Sequence, residues 1–188
     1  MDFRLVKPAD IAWTVSSRGQ PAARTSGGAK VVVQTPLCPC RVTATGGGMY
    51  RMHLALRPDL PVHSAFSDWL CEVDESASES EALREWRGGR SRSVALYNNS
   101  LRLTAFSDTL AFDATGKLSA DLLSAGGCAC IIELQGAWAT EARWGVRWRV
   151  VQIKFSEDCE LPAAACAIDD ETCPPGPAPG AYSFLDDA

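Results

Sequence analysis

The chain has 188 residues, a hydrophobic fraction of 46% and a formal charge of −5. That length holds one domain with a core of its own, and the composition is that of a globular protein. The weakly charged run 122–139 contains Glu133, Gln135 and three glycines, which excludes a membrane span. The start, MDFRLVKPAD, lacks the apolar segment of a secretion signal and predicts an intracellular protein.

Charge is unevenly placed. No Lys or Arg follows Lys154, and residues 157–188 hold eight carboxylates, leaving the body at +3. A mildly basic body with a separate acidic tail points to a polyanion partner and a tail able to compete with it.

In chain order, residues 1–29 read as an N-terminal extension and linker. The stretch SSRGQPAARTSGG is expected to be mobile, and Trp13 to anchor the start on the body. Residues 30–156 read as the folded domain. KVVVQ (30–34) is a β-branched strand. Pro36 and Pro39 follow, and neither can continue a central strand. Residues 41–45 resume pairing, and Gly46-Gly47-Gly48 turns the chain into residues 49–57. There Tyr50, Met52, Leu54 and Leu56 alternate with Arg51, His53 and Arg57. The first set faces the core; the second is a basic stripe. Phe66, Trp69, Leu70 and Val73 fall at i, i+3, i+4 and i+7, which predicts one helix over residues 61–74. Residues 82–86 add a helical turn. Arg84, Arg87, Arg90 and Arg92 make a basic loop around Gly88-Gly89. Residues 93–97 and 100–106 form a hairpin turned by Asn98-Asn99. A short apolar strand (109–112), a DATGK turn and a helical turn over 118–124 lead into the longest apolar stretch.

That stretch, residues 128–155, is two strands around Thr140-Glu141-Ala142-Arg143. Val146, Trp148 and Val150 share one face of the second strand. Arg147, Arg149, Val151, Ile153 and Phe155 share the other. The apolar face changes sides near Val150, which predicts a bulge of the kind found in closed sheets. Trp148 is expected in the core, and Trp144, at the turn, is expected to be exposed. The whole is an all-β fold with one helix, an OB-fold-like, five-stranded, partly open barrel. Residues 157–188 form an acidic, Pro-rich, disordered tail.

Catalytic motifs are missing. No phosphate loop, G-x-S-x-G elbow or H-E-x-x-H occurs, and His53 and His63 are the only histidines. The expectation is a non-enzyme without cofactor. Cys38/Cys40 and Cys128/Cys130 form two C-x-C pairs whose four thiolates can bind zinc. Structural zinc favours wider knuckles, so buried free thiols are the preferred reading and no metal is expected.

Single-strand binding needs a positive groove and aromatic platforms. The run W-G-V-R-W-R supplies both. Lys30, Arg51, Arg57, Arg102, Arg147, Arg149 and Lys154 are the candidate phosphate contacts; Tyr97 and Trp144 are the candidate platforms, with Phe106 in support.

The strand entering Q-T-P (residues 31–36), the helix with Phe66 to Val73, the hairpin W-G-V-x-W-x-V-x-Q-I-K (residues 144–154) and the acidic tail resemble the single-stranded DNA-binding proteins of large nucleocytoplasmic DNA viruses. Those are similar to the replication single-strand-binding proteins of tailed phages. The resemblance implies an OB-fold, a role in viral replication, recombination and repair in the host nucleus or a cytoplasmic viral factory, and a tail that contacts replication partners. In this chain Phe184, Asp186 and Asp187 would carry that contact. A homo-oligomer is compatible with it, and no membrane is involved. Two readings stand beside this one: a β-barrel interaction module of a virion or assembly protein without nucleic acid, and an RNA binder on the same fold.

Overall fold

In the computed structural model, residues 2–119, 122 and 126–156 are described. The predicted tail, with Phe184, Asp186 and Asp187, lies outside them.

Strands β11 (Gly126–Ala139) and β12 (Arg143–Ser156) form the long hairpin. Ile131 pairs with Gln152 but Ile132 pairs with Val150, so Val151 is an extra residue. Before it Trp144, Val146, Trp148 and Val150 are buried; after it Ile153 and Phe155 are. The bulge keeps both halves of one strand facing the core, as the changing apolar face requires.

Five strands close a ring. β11 pairs with β4 (Cys38–Gly46), β4 with β5 (Met49–Ala55), and β5 with β8 (Ser100–Phe106). β8 then meets β12 through one parallel pair, Thr104 with Arg149. Met52, Leu54, Leu101, Leu103, Ala105, Ile132, Leu134 and Val150 point into it. Short strands attach to this ring. β3 (Val31–Gln34) pairs with β11, and β6 (Ser91–Ser93) and β9 (Leu110–Phe112) pair in parallel with β12. β7 (Leu96–Tyr97) pairs with β8, and β10 (Leu118–Ser119) with β9.

The Q-T-P motif has a clear physical job. β3 and β4 run along the same edge of β11, interrupted at Thr35, Pro36 and Leu37. Pro36 cannot donate to the ladder. Thr35 bridges the gap: its N–H donates to the Cys130 carbonyl at 2.8 Å, and its hydroxyl accepts the Cys130 N–H at 2.9 Å. Pairing resumes sooner than expected, at Cys38. Pro39 is tolerated there because pairing with β5 begins only at Cys40.

Three expectations are corrected. Two helices are present, α1 (Pro61–Glu79) and α2 (Glu81–Arg87), because the acidic, serine-rich segment continues α1. Residues 11–25 are a hairpin, β1 (Ile11–Val15) with β2 (Pro21–Thr25), and not a linker. Ile11, Trp13 and Ala23 join the same core as the barrel, and the Trp13 Nε1–H donates to Ser76 Oγ of α1 at 3.1 Å. Leu118 and Ser119 are strand rather than helical turn.

The predicted apolar stripe of α1 is buried. Trp69 lies 5.8 Å from Trp148 and 6.0 Å from Phe66, which meets Phe3 at 5.0 Å. These four rings join the N-terminus, α1 and β12. Cys38, Cys40, Cys128 and Cys130 are buried free thiols. Hydrogen bonding to Cys128 and burial push the Cys40 thiol far above its ordinary range. Among the described residues no His, Cys, Asp and Glu side chains are grouped to hold a metal ion, and no helix is long and apolar enough to cross a membrane.

Candidate nucleic-acid interface

Alternation along β5 and β8 sorts side chains to two sides. Met52 and Leu54, with Leu101 and Leu103, face inward. The opposite phase therefore faces out, and the register lines it up in rows. Thr43, Arg51, Thr104 and Arg149 lie side by side across β4, β5, β8 and β12. Arg41, His53 and Arg102 form the next row. Neighbouring strands stand about 4.8 Å apart, so four strands span about 14 Å. Arg147 is two residues from Arg149 and shares its face.

An aromatic ring with an arginine marks each end of β8. Asn98 and Asn99 both adopt positive φ (49° and 57°), the two-residue turn that folds β7 back on β8. That turn puts Tyr97 opposite Ser100. Tyr97 is 55% exposed, and the Arg102 guanidinium lies 5.8 Å from its ring centre. At the other end the Arg149 guanidinium lies 5.2 Å from the half-buried Phe106 ring. Ser100 and Phe106 are six positions apart, or about 20 Å of strand.

Asp108 pairs with Arg149 Nη2, and Arg149 Nε is buried without a hydrogen-bond partner. Thr109 pins the intervening loop: its hydroxyl accepts from the Phe106 N–H at 3.0 Å and donates to the Val150 carbonyl at 3.1 Å.

The other candidates lie off this face. Lys30 pairs with the buried Glu133 at 3.3 Å, beside β11. Arg57 pairs with Asp59 at 2.8 Å in the link to α1 and holds that carboxyl below its ordinary range. Lys154 is exposed beyond the bulge, between Ala129 and Phe112.

Trp144 is the main correction. Its ring is 2% exposed, so no base can stack on it. It is buried near the start of β12, with Arg87 of α2 against its face. The basic loop is likewise tied into the fold. Arg87 Nη1 donates to the Ser78 carbonyl. Arg90 Nε donates to the Thr140 carbonyl at 2.7 Å and its Nη1 to the Trp86 carbonyl at 3.0 Å. These arginines fasten α2 to the β11–β12 turn.

Sequence reasoning missed Arg41 and Asp108 as members of the face. Strand alternation carried a signal for Arg41; nothing local signalled Asp108, whose partner is 41 residues away.

No family model matches the sequence, and no curated protein matches it either. The fold itself is shared with solved structures. One is gp2.5, a single-stranded DNA-binding protein encoded by bacteriophage T7: 12% identity, TM-score 0.54, covering 79% of this chain and 100% of that one. Another is the single-stranded DNA-binding protein of bacteriophage Enc34: 9% identity, TM-score 0.53, covering 86% and 98%. Its C-terminally truncated form aligns with a TM-score of 0.52 over 80% of this chain. These solved neighbours are phage proteins, and no family model supports the resemblance to nucleocytoplasmic DNA viruses. The chain has the fold of these phage single-stranded DNA-binding proteins.

Proposed function

We propose that this protein binds single-stranded DNA without sequence preference, as a non-enzymatic OB-type module. The observation that carries the reading is the outward face of β5, β8 and β12. It holds arginines in register rows, with a cation-backed ring at each end of β8. In partly open five-stranded barrels this is the side that takes oligonucleotides. Bases stack on Tyr97 and Phe106 while Arg41, Arg51, Arg102, Arg147 and Arg149 neutralise phosphates. The two platforms, about 20 Å apart, suit an extended strand better than a duplex. The shared fold with phage single-stranded DNA-binding proteins supports the same reading. On it rest three finer proposals: work in viral DNA replication and recombination, a place wherever that DNA is copied in the host cell, and partner contacts through the acidic tail.

A second reading has its own observation. Lys30, Arg57 and Arg149 are each held by a carboxylate, as expected of an interaction module whose charges serve the fold. One measurement separates the two: fluorescence anisotropy of labelled single-stranded and duplex oligonucleotides at two salt concentrations. Five phosphate contacts at about −0.7 each give a log K against log salt slope of about −3 to −4. Single strands are preferred on the first reading; no binding at low salt removes it and leaves the second.

A further inference from the structure

We propose that Asp108 occupies a phosphate subsite built around Arg149, and that a DNA phosphate must displace it to bind. This rests on the single-strand reading and names the residue that sets its affinity at one point of the face.

The Arg149 side chain is 27% exposed and points to a place already taken. Its Nη2 is paired with Asp108, whose own side chain is 66% exposed. Its guanidinium lies against the Phe106 ring, which fixes the plane of the fork. Its Nε is buried and makes no hydrogen bond. The arginine fork is therefore half used. An anion seated on such a fork engages two parallel N–H groups, the geometry that makes arginine selective for phosphate and carboxylate. Asp108 reaches one of them. A phosphodiester that displaces Asp108 takes over Nη2 and brings a base to Phe106, a contact the carboxylate cannot make.

The loop holds Asp108 in place without binding it tightly. Thr109 anchors the loop from below through the Val150 carbonyl. On one side stands the β4–β5 turn, where a Cβ added to Gly48 would lie 3.3 Å from Ser107 Oγ. Between these anchors the Asp108 carboxylate projects into water, where an ion pair contributes little and yields readily to a better ligand. Its presence lowers the resting charge of the face and penalises weak anions. Among ligands it favours those that bring a phosphate and a stacking base together.

The test uses the full chain and a fluorescein-labelled oligothymidylate, with anisotropy read at about 50 and 200 mM salt. Asp108→Asn, which cannot neutralise Arg149, is expected to bind about three- to tenfold more tightly at the lower salt, with the slope steeper by about 0.7. Asp108→Asn combined with Arg149→Gln is expected to match Arg149→Gln alone. Asp68→Asn, on the exposed face of α1, controls for net charge and leaves binding at the wild-type level. Wild-type affinity and slope in Asp108→Asn overturn the subsite while leaving single-strand binding intact, as does an equal gain in Asp68→Asn. Absence of binding by the wild-type chain overturns the parent reading and this one with it.

Discussion

The guanidinium of Arg87 lies 5.4 Å from the centre of the Trp144 ring, and the ring beneath it is closed to solvent. A tryptophan next to a turn is thus covered by a cation from a helix more than fifty residues earlier. Trp144→Ala leaves a large void under α2 and is expected to cost about 3–5 kcal/mol of stability. Urea denaturation measures it. The affinity of the folded fraction for single-stranded DNA should stay within about twofold of wild type, since the ring touches no ligand.

Tyr97 makes the opposite case. Its ring is exposed and covers nothing the core needs. Tyr97→Ala is expected to lose about 1–3 kcal/mol of single-strand binding with an unchanged urea midpoint. Tyr97→Phe retains the stacking surface and should bind like wild type. Equal binding by the alanine variant would remove this platform from the face.

Gly136 tests how the N-terminal hairpin sits. Its φ is +144°, and a Cβ there would stand 2.2 Å from the Pro21 carbonyl oxygen of β2. No side chain fits without moving backbone. Gly136→Ala is expected to destabilise by about 2–5 kcal/mol through strain and displacement of the hairpin. A thermal midpoint equal to wild type would mean that β2 does not lie against β11.

Asp74 gives a pH signature. It is buried in α1, accepts the Ala95 N–H at 3.1 Å, and burial pushes its carboxyl up to about 6. The folded state therefore keeps a proton that the unfolded chain releases near pH 4. Stability from this group is full below that point and is lost as pH rises through about 6. Between pH 5 and 7.5 the loss is about 1–2 kcal/mol. Burial lowers the His63 ring, and its contribution runs the other way. The difference between wild type and Asp74→Asn isolates Asp74. The variant is expected to be more stable by about 1–3 kcal/mol at pH 7.5 and close to wild type near pH 4. A pH-independent difference would sink the assignment.

Much of the barrel was legible because its signals are local. The stripe Phe66, Trp69, Leu70 and Val73, the Asn98-Asn99 turn and the switch of phase at Val151 each follow from a few adjacent residues. The N-terminal hairpin was not, because Gly, Ser and Arg around Pro21 read as solvated chain. Only packing of Trp13 and Ala23 against distant strands overrides that composition. The site divides the same way. Arg51 and Arg102 were placed on the outward face by alternation alone. The burial of Trp144 was missed because α2, which covers it with Arg87, is remote in sequence. Asp108 escaped because an ion pair over 41 residues has no local pattern.

The pairing of β3 with β11 also sets an order of events on the ribosome. Val31 lies opposite Leu134 and Val33 opposite Ile132. At about 5–20 residues per second, β3 is made some 5–20 s before its partner. During that interval Val31 and Val33, buried in the finished barrel, form an uncovered strand edge that any other extended chain can join. Contacts this far apart in sequence also place refolding among the slower small domains, on the millisecond-to-second scale. The β3 wall of the barrel thus waits for the C-terminal hairpin, and nascent chains that stall before residue 126 carry an apolar edge whose partner strand is not yet made.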